Sequence, residues 1–333
     1  MALSPDGRLF LGDLTSASDA TTGKIYVLDN FDEQSGEFKT QNVYLSNLRN
    51  PNSIAFYTDG GGSTWMYVAL TDKLVRYKYA AGQNTPASAA QIIATLPGTP
   101  PAVANGFWHF TRTVAVHDNE IYLSIGSSCN SCEQSNAGRA IIVKMDPDGG
   151  NRQTVASGLR NAVGLTFAGS DLYATANEVD NLGDDKPDDL LYKIMPGVNY
   201  GWPYCYESGN KIYHDGSQNW KNTFDCSQVP LAWAAFAPHS APLGLAYVGN
   251  AFGDKTLSNS FLVALHGSTN PGEGAGNAVV MSRQGQNAVD IVSGFLQNSQ
   301  RLGRPVDILI NNDRSFFVSD DSNGVIYYLS YQS

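Results

Sequence analysis

The chain has 333 residues, 16% of them charged, and its 31 acidic against 21 basic side chains give a net charge of −10. Because nucleic-acid binding depends largely on clustered cations, this balance disfavours a nucleic-acid partner and favours a small neutral ligand. No apolar stretch approaches the roughly 18 to 20 residues that span a bilayer, which predicts no membrane partner.

Short runs of β-branched and aromatic residues alternate with glycine- and proline-rich turns, which is typical of an all-β chain. The runs form six units of three strands that repeat in one order. In chain order the units are MALSPDG, RLFLGDL and GKIYVLD; NLRNPNSIAF, TWMYVAL and KLVRYKY; TRTVAVHDN, EIYLSIGSS and AIIVKMDPDG; GLRNAVGLTF, DLYATANE and DLLYKIM; PLGLAYVG, NSFLVALHGS and AVVMSRQG; GRPVDILINND, RSFFVSDD and GVIYYLSY. Segments such as NVYLSNL and QIIATLP supply a fourth strand in several units.

Six units of four-stranded antiparallel sheet predict a six-bladed β-propeller, in which radial repetition hides the sheet edges. The alternative is a β-sandwich, whose strands have no reason to repeat in one order. We therefore predict a single catalytic domain over residues 1–333 with a long polar insertion at about 180–235. The last unit stops at its third strand while the chain begins on a first strand, which predicts an incomplete last blade and an N-terminal truncation.

Four cysteines form two local groups, Cys129 with Cys132 and Cys205 with Cys226. Pairing within each group is the simplest of the three possible connectivities. A four-thiolate zinc site is the alternative, and the wide spacing of the second group disfavours it. Two disulfides indicate an oxidising compartment, so we expect a secreted or periplasmic protein whose signal peptide is not part of this sequence.

Polar side chains mark one end of each predicted blade. Since the first and second strands of a blade run antiparallel, the start of the first lies beside the end of the second. The polar residues at starts of first strands are Asn52, His109, Arg112, Arg160, Asn161, His239 and Arg304, and those at ends of second strands are Asp13, Ser127, Ser128, Asn177, Glu178, His266, Asp320 and Asp321. We therefore expect histidines and arginines to converge at one end of the channel, which suits a polyanionic ligand and a hydroxyl to be deprotonated.

Six motifs together resemble the soluble quinoprotein sugar dehydrogenases, the glucose/sorbosone dehydrogenase family, and within it the sorbosone dehydrogenase-like and fungal pyranose dehydrogenase branch. The motifs are HFTRTVAV…IYLSIGSSCNSCEQ, GLRNAVGLTF, NLGDDKPDDLLYKI…VNYGWPYC, PHSAPLGLAYV, FLVALHGS and GRPVDILI…FFVSDD. The resemblance implies a six-bladed propeller that binds pyrroloquinoline quinone (PQQ) and Ca²⁺. It also implies oxidation of a pyranose, aldose or keto-sugar by hydride transfer to the quinone, with electrons leaving to an acceptor such as a cytochrome domain or protein.

The resemblance further implies roles for single residues. His109 matches the general base that takes the proton from the anomeric hydroxyl of the sugar, and Arg112 either orients His109 or binds the cofactor. The residues implied to bind or line the cofactor are Asn52, Arg160, Asn161, His239, His266 and Arg304. Calcium would be held through main-chain carbonyls at Glu178 and Val179, since hard oxygen ligands suit Ca²⁺.

Two positions depart from the family pattern. Glu178 replaces a glycine, because the turn reads ANEVDN where bacterial relatives have Asp-Asn-Gly-Arg. Trp108 precedes His109 where the glucose dehydrogenase branch has an acid, so a preference for glucose does not transfer to this chain. The Trp108 indole would stack on a pyranose ring, and the alternative is that Trp108 belongs to the core.

Two other functions are compatible with this fold. A calcium-dependent lactonase or hydrolase would surround its metal with side chains such as those of Asp13, Glu178 and Asp320, and arginines in the channel would oppose that cation. A non-catalytic carbohydrate-binding propeller would use the aromatic residues but has no need for His109 beside Arg112. A propeller fold alone does not decide between these functions.

Overall fold

A computed structural model describes residues 1–14, 21–98, 108–268 and 275–331. Nearly all regular structure in these ranges is β-strand, and the one helix among them is a 3-10 turn at Cys226–Gln228. Strands form because buried and partly exposed side chains alternate, as along Gly23–Asp32, where Ile25 and Val27 are fully buried. Within the described ranges, no helix is long and apolar enough to cross a membrane.

The chain divides into two compact units, and the first comprises Met1–Ser128 and Asn136–Thr154. Its first blade contains β1 (Ala2–Leu3), β2 (Leu9–Asp13), β3 (Gly23–Asp32) and β4 (Glu37–Leu48). The second blade contains β5 (Ser53–Thr58), β6 (Thr64–Ala69), β7 (Lys73–Tyr79) and β8 (Gln91–Thr95). The third blade contains β9 (Arg112–His117), β10 (Glu120–Ile125), β11 (Ile141–Met145) and β12 (Gln153–Ser157), the last of which begins in this unit.

The second unit comprises Cys129–Ser135 and Val155–Ser333. Its first blade, the fourth of the chain, contains β13 (Ala162–Ala168), β14 (Asp171–Ala176), β15 (Asp189–Lys193) and, after three short strands, β19 (Ala234–Phe236). The short strands are β16 (Val198–Asn199), β17 (Cys205–Glu207) and β18 (Ile212–His214). The fifth blade contains β20 (Pro242–Val248), β21 (Ser260–Leu265), β22 (Ala278–Ser282) and β23 (Val289–Val292). A hairpin of β24 (Leu296–Gln297) and β25 (Gln300–Arg301) precedes the sixth blade, which contains β26 (Pro305–Asn312), β27 (Ser315–Asp320) and β28 (Val325–Ser330).

The six sheets are the blades of a β-propeller, which confirms the predicted fold class. Successive strands of a blade pair antiparallel, as β5 with β6 and β20 with β21 do. In the third blade, β16 adds a parallel fifth strand through the pairing of Ala156 with Val198. The sixth blade has three strands within the described ranges, in agreement with its shorter sequence unit.

The insertion between β15 and β19 is tied down by a disulfide. Cys205 is bonded to Cys226 across 21 residues of sequence, and Cys129 is bonded to Cys132 in the loop that follows β10. Both predicted pairings are confirmed, so the alternative of a four-thiolate zinc site is wrong. Because each bridge is local, the two disulfides stabilise loops beside the blades rather than the sheets themselves.

The apolar core of each unit lies between adjacent blades. In the first unit, Phe10 on β2 packs edge-on against Phe56 on β5 and against Tyr44 on β4, with ring centroids 5.1 and 4.9 Å apart. In the second unit, Tyr173 on β14 packs against Phe261 on β21 with centroids 4.5 Å apart. Rings of this size bury large apolar areas. The Phe10–Phe56 and Tyr173–Phe261 contacts therefore fix one blade against the next, while Phe10–Tyr44 packs within the first blade.

The fourth and fifth blades approach closely at a glycine. The Gly164 amide of β13 donates to Thr175 Oγ1 at 2.7 Å, and this hydroxyl donates to the Leu243 carbonyl of β20 at 2.8 Å. A Cβ atom at Gly164 would collide with the same Leu243 carbonyl. The interface between these two blades therefore requires a residue without a side chain.

From the second blade to the sixth, the first strand starts beside the end of the second strand. The paired residues are Ser53 with Ala69, Arg112 with Ile125, Ala162 with Ala176, Pro242 with Leu265, and Pro305 with Asp320. The polar residues that the sequence places before first strands and after second strands therefore lie next to each other within each of these blades.

Candidate functional site

His109 lies three residues before β9, and its ring is held by Ser127, two residues after the end of β10. Its Nδ1 atom is 2.8 Å from the Ser127 hydroxyl and 3.1 Å from the Ser127 carbonyl oxygen. Trp108 meets the imidazole edge-on with centroids 5.6 Å apart. The backbone of His109 has φ of 45°, a left-handed conformation that is costly for a residue with a side chain. Neighbouring groups must therefore hold this conformation in place.

Arg112 is one of those groups, and only 1% of it is exposed. Its Nη1 donates to the carbonyls of His109 at 2.6 Å and Thr111 at 2.7 Å, and its Nη2 donates to the Pro97 carbonyl at 3.0 Å. Burial, and after it the nearby charge of Arg139, lowers the pKa of Arg112 to about 9. Of the two roles expected for Arg112, these contacts favour orientation of His109.

Arg139 is a second buried arginine at this place, and sequence reasoning missed it. It donates to the carbonyls of Ser127 at 3.3 Å, Gly126 at 3.4 Å and Pro97 at 3.1 Å. Burial lowers the pKa of its guanidinium. The sequence does contain a feature that could have pointed to it. Arg139 lies two residues before the apolar strand β11, much as Arg112 lies at the start of β9.

Asn52 also belongs to this group, through the strand start of the second blade. Its Nδ2 donates to the Arg112 carbonyl at 3.1 Å, and its backbone N–H donates to the Ala69 carbonyl at 3.2 Å. The first unit thus brings together Asn52, Trp108, His109, Arg112 and Ser127, which the sequence analysis names, and adds Arg139 to them.

In the second unit, Arg160 is buried and surrounded by acceptors. Its Nε and Nη2 donate to the carbonyl and side-chain oxygens of Asn130 at 3.0 and 2.7 Å, and Nη2 also lies 2.8 Å from Asp180 Oδ2. Its Nη1 donates to the Asn177 carbonyl at 3.2 Å. The neighbouring Asn161 accepts a hydrogen bond from the Asn177 amide through its carbonyl. Asn130 lies between the two cysteines of the first disulfide, so that loop positions Arg160.

Glu178 and Val179 are buried directly after β14. No donor among the described residues reaches the Glu178 carboxylate, although its backbone N–H donates to Asp189 Oδ1 at 2.8 Å. Burial raises the pKa of Glu178 to about 8 against the opposing charge of Arg160, and burial raises the pKa of Asp189 to about 6. A buried carboxyl group of this kind either keeps its proton or requires a cation.

His239 lies close to the same group of residues. Its Nε2 is 2.9 Å from the Gly183 carbonyl, and its Nδ1 is 3.9 Å from Asp180 Oδ1. Asp180 therefore lies between Arg160 and His239. Two residues further on, the Ala241 amide donates to Asp189 Oδ2 at 2.8 Å, which ties this segment to the buried acid.

His266 and Arg304 form the last pair of predicted residues. His266 Nε2 lies 3.0 and 3.1 Å from the two carboxylate oxygens of Asp321. Arg304 donates through Nε to the His266 carbonyl at 3.1 Å and through Nη2 to the Gly267 carbonyl at 2.6 Å. The Gly267 amide in turn donates to the Ser240 carbonyl, so the segments that carry His239 and His266 are adjacent.

Asp320 is occupied by structural contacts. Its carboxylate accepts hydrogen bonds from the amides of Arg304, Ser322 and Asn323 and from the Tyr327 hydroxyl. Such a saturated acceptor has no free oxygen for a metal. Over the described ranges, no group of three or more His, Cys, Asp or Glu side chains is arranged to hold a metal ion.

Comparison with known proteins identifies the family. The family described as TrAA12-like matches residues 17–332 of the chain. The chain belongs to the TrAA12-like family. This membership confirms the resemblance drawn from the sequence motifs, and the matched range begins after β2 of the first blade and includes the other five blades.

Sequence relatives of this TrAA12-like chain are longer than the chain itself. It is 31% identical over 255 residues to an uncharacterized protein of Borreliella burgdorferi, covering 73% of the chain and 64% of that protein. It is 26% identical over 224 residues to a pyrroloquinoline quinone-dependent pyranose dehydrogenase of Coprinopsis cinerea, covering 53% of the chain and 30% of that enzyme. The chain thus spans less than two thirds of the length of either relative.

Solved structures share the fold of the chain. The calcium structure of the Trichoderma reesei family AA12 enzyme has a TM-score of 0.75 at 20% identity, covering 98% of the chain and 96% of that structure. The holo form of the Coprinopsis cinerea pyranose dehydrogenase PQQ domain has a TM-score of 0.73 at 20% identity, covering 99% and 91%. Both likenesses support the propeller fold.

Proposed function

We propose that the TrAA12-like chain is a quinoprotein sugar oxidoreductase that oxidises a pyranose or related sugar, with PQQ and Ca²⁺ as cofactors and His109 as general base. The observation that carries this proposal is the placement of His109. Its ring is anchored to Ser127, while Arg112 donates to its backbone carbonyl. A base must be held in one geometry to take a proton from a bound hydroxyl, and these contacts supply that geometry.

The arginines and histidines of the second unit suit the carboxylates of PQQ. His266 and Arg160 each contact an aspartate that is well exposed, Asp321 at 59% and Asp180 at 58% of the side chain. Arg304 Nη1 has no hydrogen-bond partner among the described residues, although its other two nitrogens are fixed. We propose that Arg160, Asn161, His239, His266 and Arg304 bind the anionic cofactor, because guanidinium and imidazole N–H donors match carboxylate oxygens. We also assign Asn52 to the cofactor site, because its side chain donates to the Arg112 carbonyl and so stabilises the start of the first strand in the second blade.

The buried carboxyl of Glu178 fits a cation. It has no donor among the described residues and its pKa is raised to about 8 because it is buried, so a Ca²⁺ ion held at the carbonyls of Glu178 and Val179 would relieve an uncompensated charge. The replacement of glycine by Glu178 is then compatible with the metal. The relative from Trichoderma reesei was solved as a calcium structure, which supports this assignment.

When bound, PQQ supplies a carbonyl that accepts hydride, and Ca²⁺ supplies the charge that polarises it. The residues of the chain have the remaining tasks. His109 takes the proton of the sugar hydroxyl, Arg112 keeps His109 in its left-handed conformation, and Trp108 offers an indole face to the sugar ring. Such a positioned base contributes about 10² to 10⁴-fold to the rate.

The experiment separates cofactor binding from turnover. The purified chain is mixed with PQQ and Ca²⁺, binding is measured by calorimetry, and dye reduction is followed with a panel of pyranoses. We expect His109→Ala to lose at least about 10²-fold in turnover and to keep its affinity for PQQ. His117→Ala is the matched control, because His117 lies at the other end of β9 and contacts Asp118.

Two results would contradict the proposal. A folded chain that neither binds PQQ nor reduces dye with any sugar is not a quinoprotein of this kind. If the histidine variant keeps the turnover of the control variant, the base is another residue. The lactonase alternative has less support, because Asp320 is saturated by structural donors.

The chain is also proposed to act outside the cytosol and to pass electrons to a cytochrome domain or protein. The first part is supported by the two disulfides, which persist in oxidising compartments. Reduction of added cytochrome c by the PQQ-loaded chain and sugar tests the second part, and a chain that reduces dyes but no cytochrome would contradict it.

A further inference from the structure

We infer that Ser127 and Arg139 are positioning residues that hold His109 as the tautomer protonated on Nδ1, with the basic lone pair on Nε2. The inference rests on the proposed function, in which His109 is the base. The position of the ring proton, however, can be measured without any turnover, so the two proposals can fail separately.

The contacts of Nδ1 decide which ring nitrogen carries the proton. Nδ1 lies 3.1 Å from the Ser127 carbonyl oxygen, and a carbonyl only accepts hydrogen bonds. An unprotonated Nδ1 would turn its lone pair toward the lone pairs of that oxygen. The Ser127 hydroxyl, at 2.8 Å, accepts or donates as required. The hydroxyl is therefore compatible with either tautomer of His109. The carbonyl oxygen is compatible only with the tautomer that carries a proton on Nδ1.

Arg139 fixes the carbonyl that makes this choice. Its Nη1 donates to the carbonyls of Ser127 and Gly126, and its Nη2 donates to Pro97 and Gly98. All of these acceptors are backbone carbonyls, so this buried cation orders the strand end after β10 as a group. A planar guanidinium with five donors can hold several carbonyls at once, which the ammonium of lysine does less well.

Arg112 fixes the other side of the contact. It donates to the His109 carbonyl at 2.6 Å and thereby holds the left-handed backbone of His109. Because backbone and acceptor are both fixed, rotation of the imidazole would sacrifice the contact of Nδ1 with Ser127. The basic lone pair therefore lies on Nε2, the nitrogen furthest from the backbone, which is where a base can reach a substrate hydroxyl.

The test uses the ring nitrogens themselves. The full chain, with selectively ¹⁵N-labelled histidine, has five imidazoles, and the spectrum of His109→Gln assigns the signals of His109. At a pH where the ring is neutral we expect Nδ1 to show the shift of a protonated nitrogen and Nε2 that of an unprotonated one. The reverse assignment in the native chain would overturn the inference.

Two variants identify the group that makes the choice. Ser127→Ala keeps the carbonyl and should keep the proton on Nδ1, whereas a switch to Nε2 would show that the hydroxyl decides and would overturn the inference. Arg139→Lys should shift the ratio of the two neutral tautomers toward Nε2–H by about five- to tenfold, the value of one displaced hydrogen bond. Arg152→Lys is the control, since Arg152 is an exposed arginine of the same unit, and it should leave the ratio unchanged.

Kinetics of the PQQ-loaded chain separate the two proposals. Arg139→Lys should lower kcat while KM for the sugar changes little, because a positioning residue acts on the base and not on sugar binding. Turnover by a chain whose His109 carries its proton on Nε2 would overturn this inference and leave the proposed function standing. If His109 carries its proton on Nδ1 but the chain neither binds PQQ nor oxidises sugars, this inference stands and the proposed function is overturned.

Discussion

Replacing the buried acid Glu178 by glutamine is expected to remove a pH dependence from the stability of the chain. Glu178 is 8% exposed and has no donor to its carboxylate among the described residues. Burial raises its pKa from 4.5 to about 8. The folded chain therefore keeps a proton at neutral pH that the unfolded chain has released. Glutamine has nearly the same shape and no proton to lose.

The sign and size of the effect follow from this difference in pKa. Between pH 4.5 and about 8 the folded state binds more protons than the unfolded state, so the free energy of unfolding falls as the pH rises. One pKa unit corresponds to about 1.4 kcal/mol, so the slope is about 1.4 kcal/mol per pH unit and the total is on the order of 5 kcal/mol across the window. Glu178→Gln should abolish this part of the slope, whatever the burial of its amide costs, since that cost is the same at every pH.

The assay is urea unfolding followed by the fluorescence of the five tryptophans, at several pH values from 5 to 8 and in EDTA. The control is Glu120→Gln. Lys144 lies 2.7 Å from Glu120 and its hydrogen bond lowers the pKa of Glu120, so stability from that pair is lost only as the pH falls below about 4.5. The control should keep the native slope between pH 5 and 8. If Glu178→Gln also keeps it, the carboxyl is already ionised in the folded chain and the reasoning is wrong.

Three further perturbations test other parts of the structure. Replacing Cys205 and Cys226 by serine opens a loop of 21 residues, and urea unfolding should show a loss of about 3 kcal/mol, with no loss contradicting a structural role. Asn130→Ala removes a side-chain acceptor from Arg160, so calorimetry should show PQQ binding about tenfold weaker, and an unchanged Kd would separate Arg160 from the cofactor. Gly164→Ala should destabilise the chain by about 2 kcal/mol, because its Cβ would collide with the neighbouring blade, and a native melting temperature would refute the close packing there.

The sequence was sufficient to predict the architecture because the propeller repeats. Six units with one order of strands and turns left few other folds, and the strand starts beside Asn52, Arg160 and Arg304 lie where the repeat places them. The disulfides were predictable for a similar reason, since pairing within each cysteine group closes a short loop. The fold was therefore predictable from the repeat of its strands, and the disulfides from the short sequence separation of the paired cysteines.

The contacts of individual side chains were less predictable. Arg112 begins the first strand of its blade and Arg304 directly precedes that of its own, yet Arg112 is buried against carbonyls and Arg304 keeps one nitrogen without a partner among the described residues. Arg139 was missed because an arginine before a strand carries no mark that distinguishes a carbonyl clamp from a surface residue. Such differences depend on which backbone oxygens surround the guanidinium, and these are brought together by long-range packing.

The arginines and histidines of the two units differ in a way that bears on ligand binding. In the first unit, Arg112 and Arg139 hold backbone carbonyls in a buried place, and withdrawing either would leave several acceptors without donors. In the second unit, Arg160 and His266 face aspartates that are more than half exposed. Ion pairs with exposed partners contribute little stability, so a ligand carboxylate can replace such an aspartate at small cost. This difference supports the proposed division of roles, in which the first group holds His109 in place as the base and the second group exchanges its aspartates for the carboxylates of a ligand.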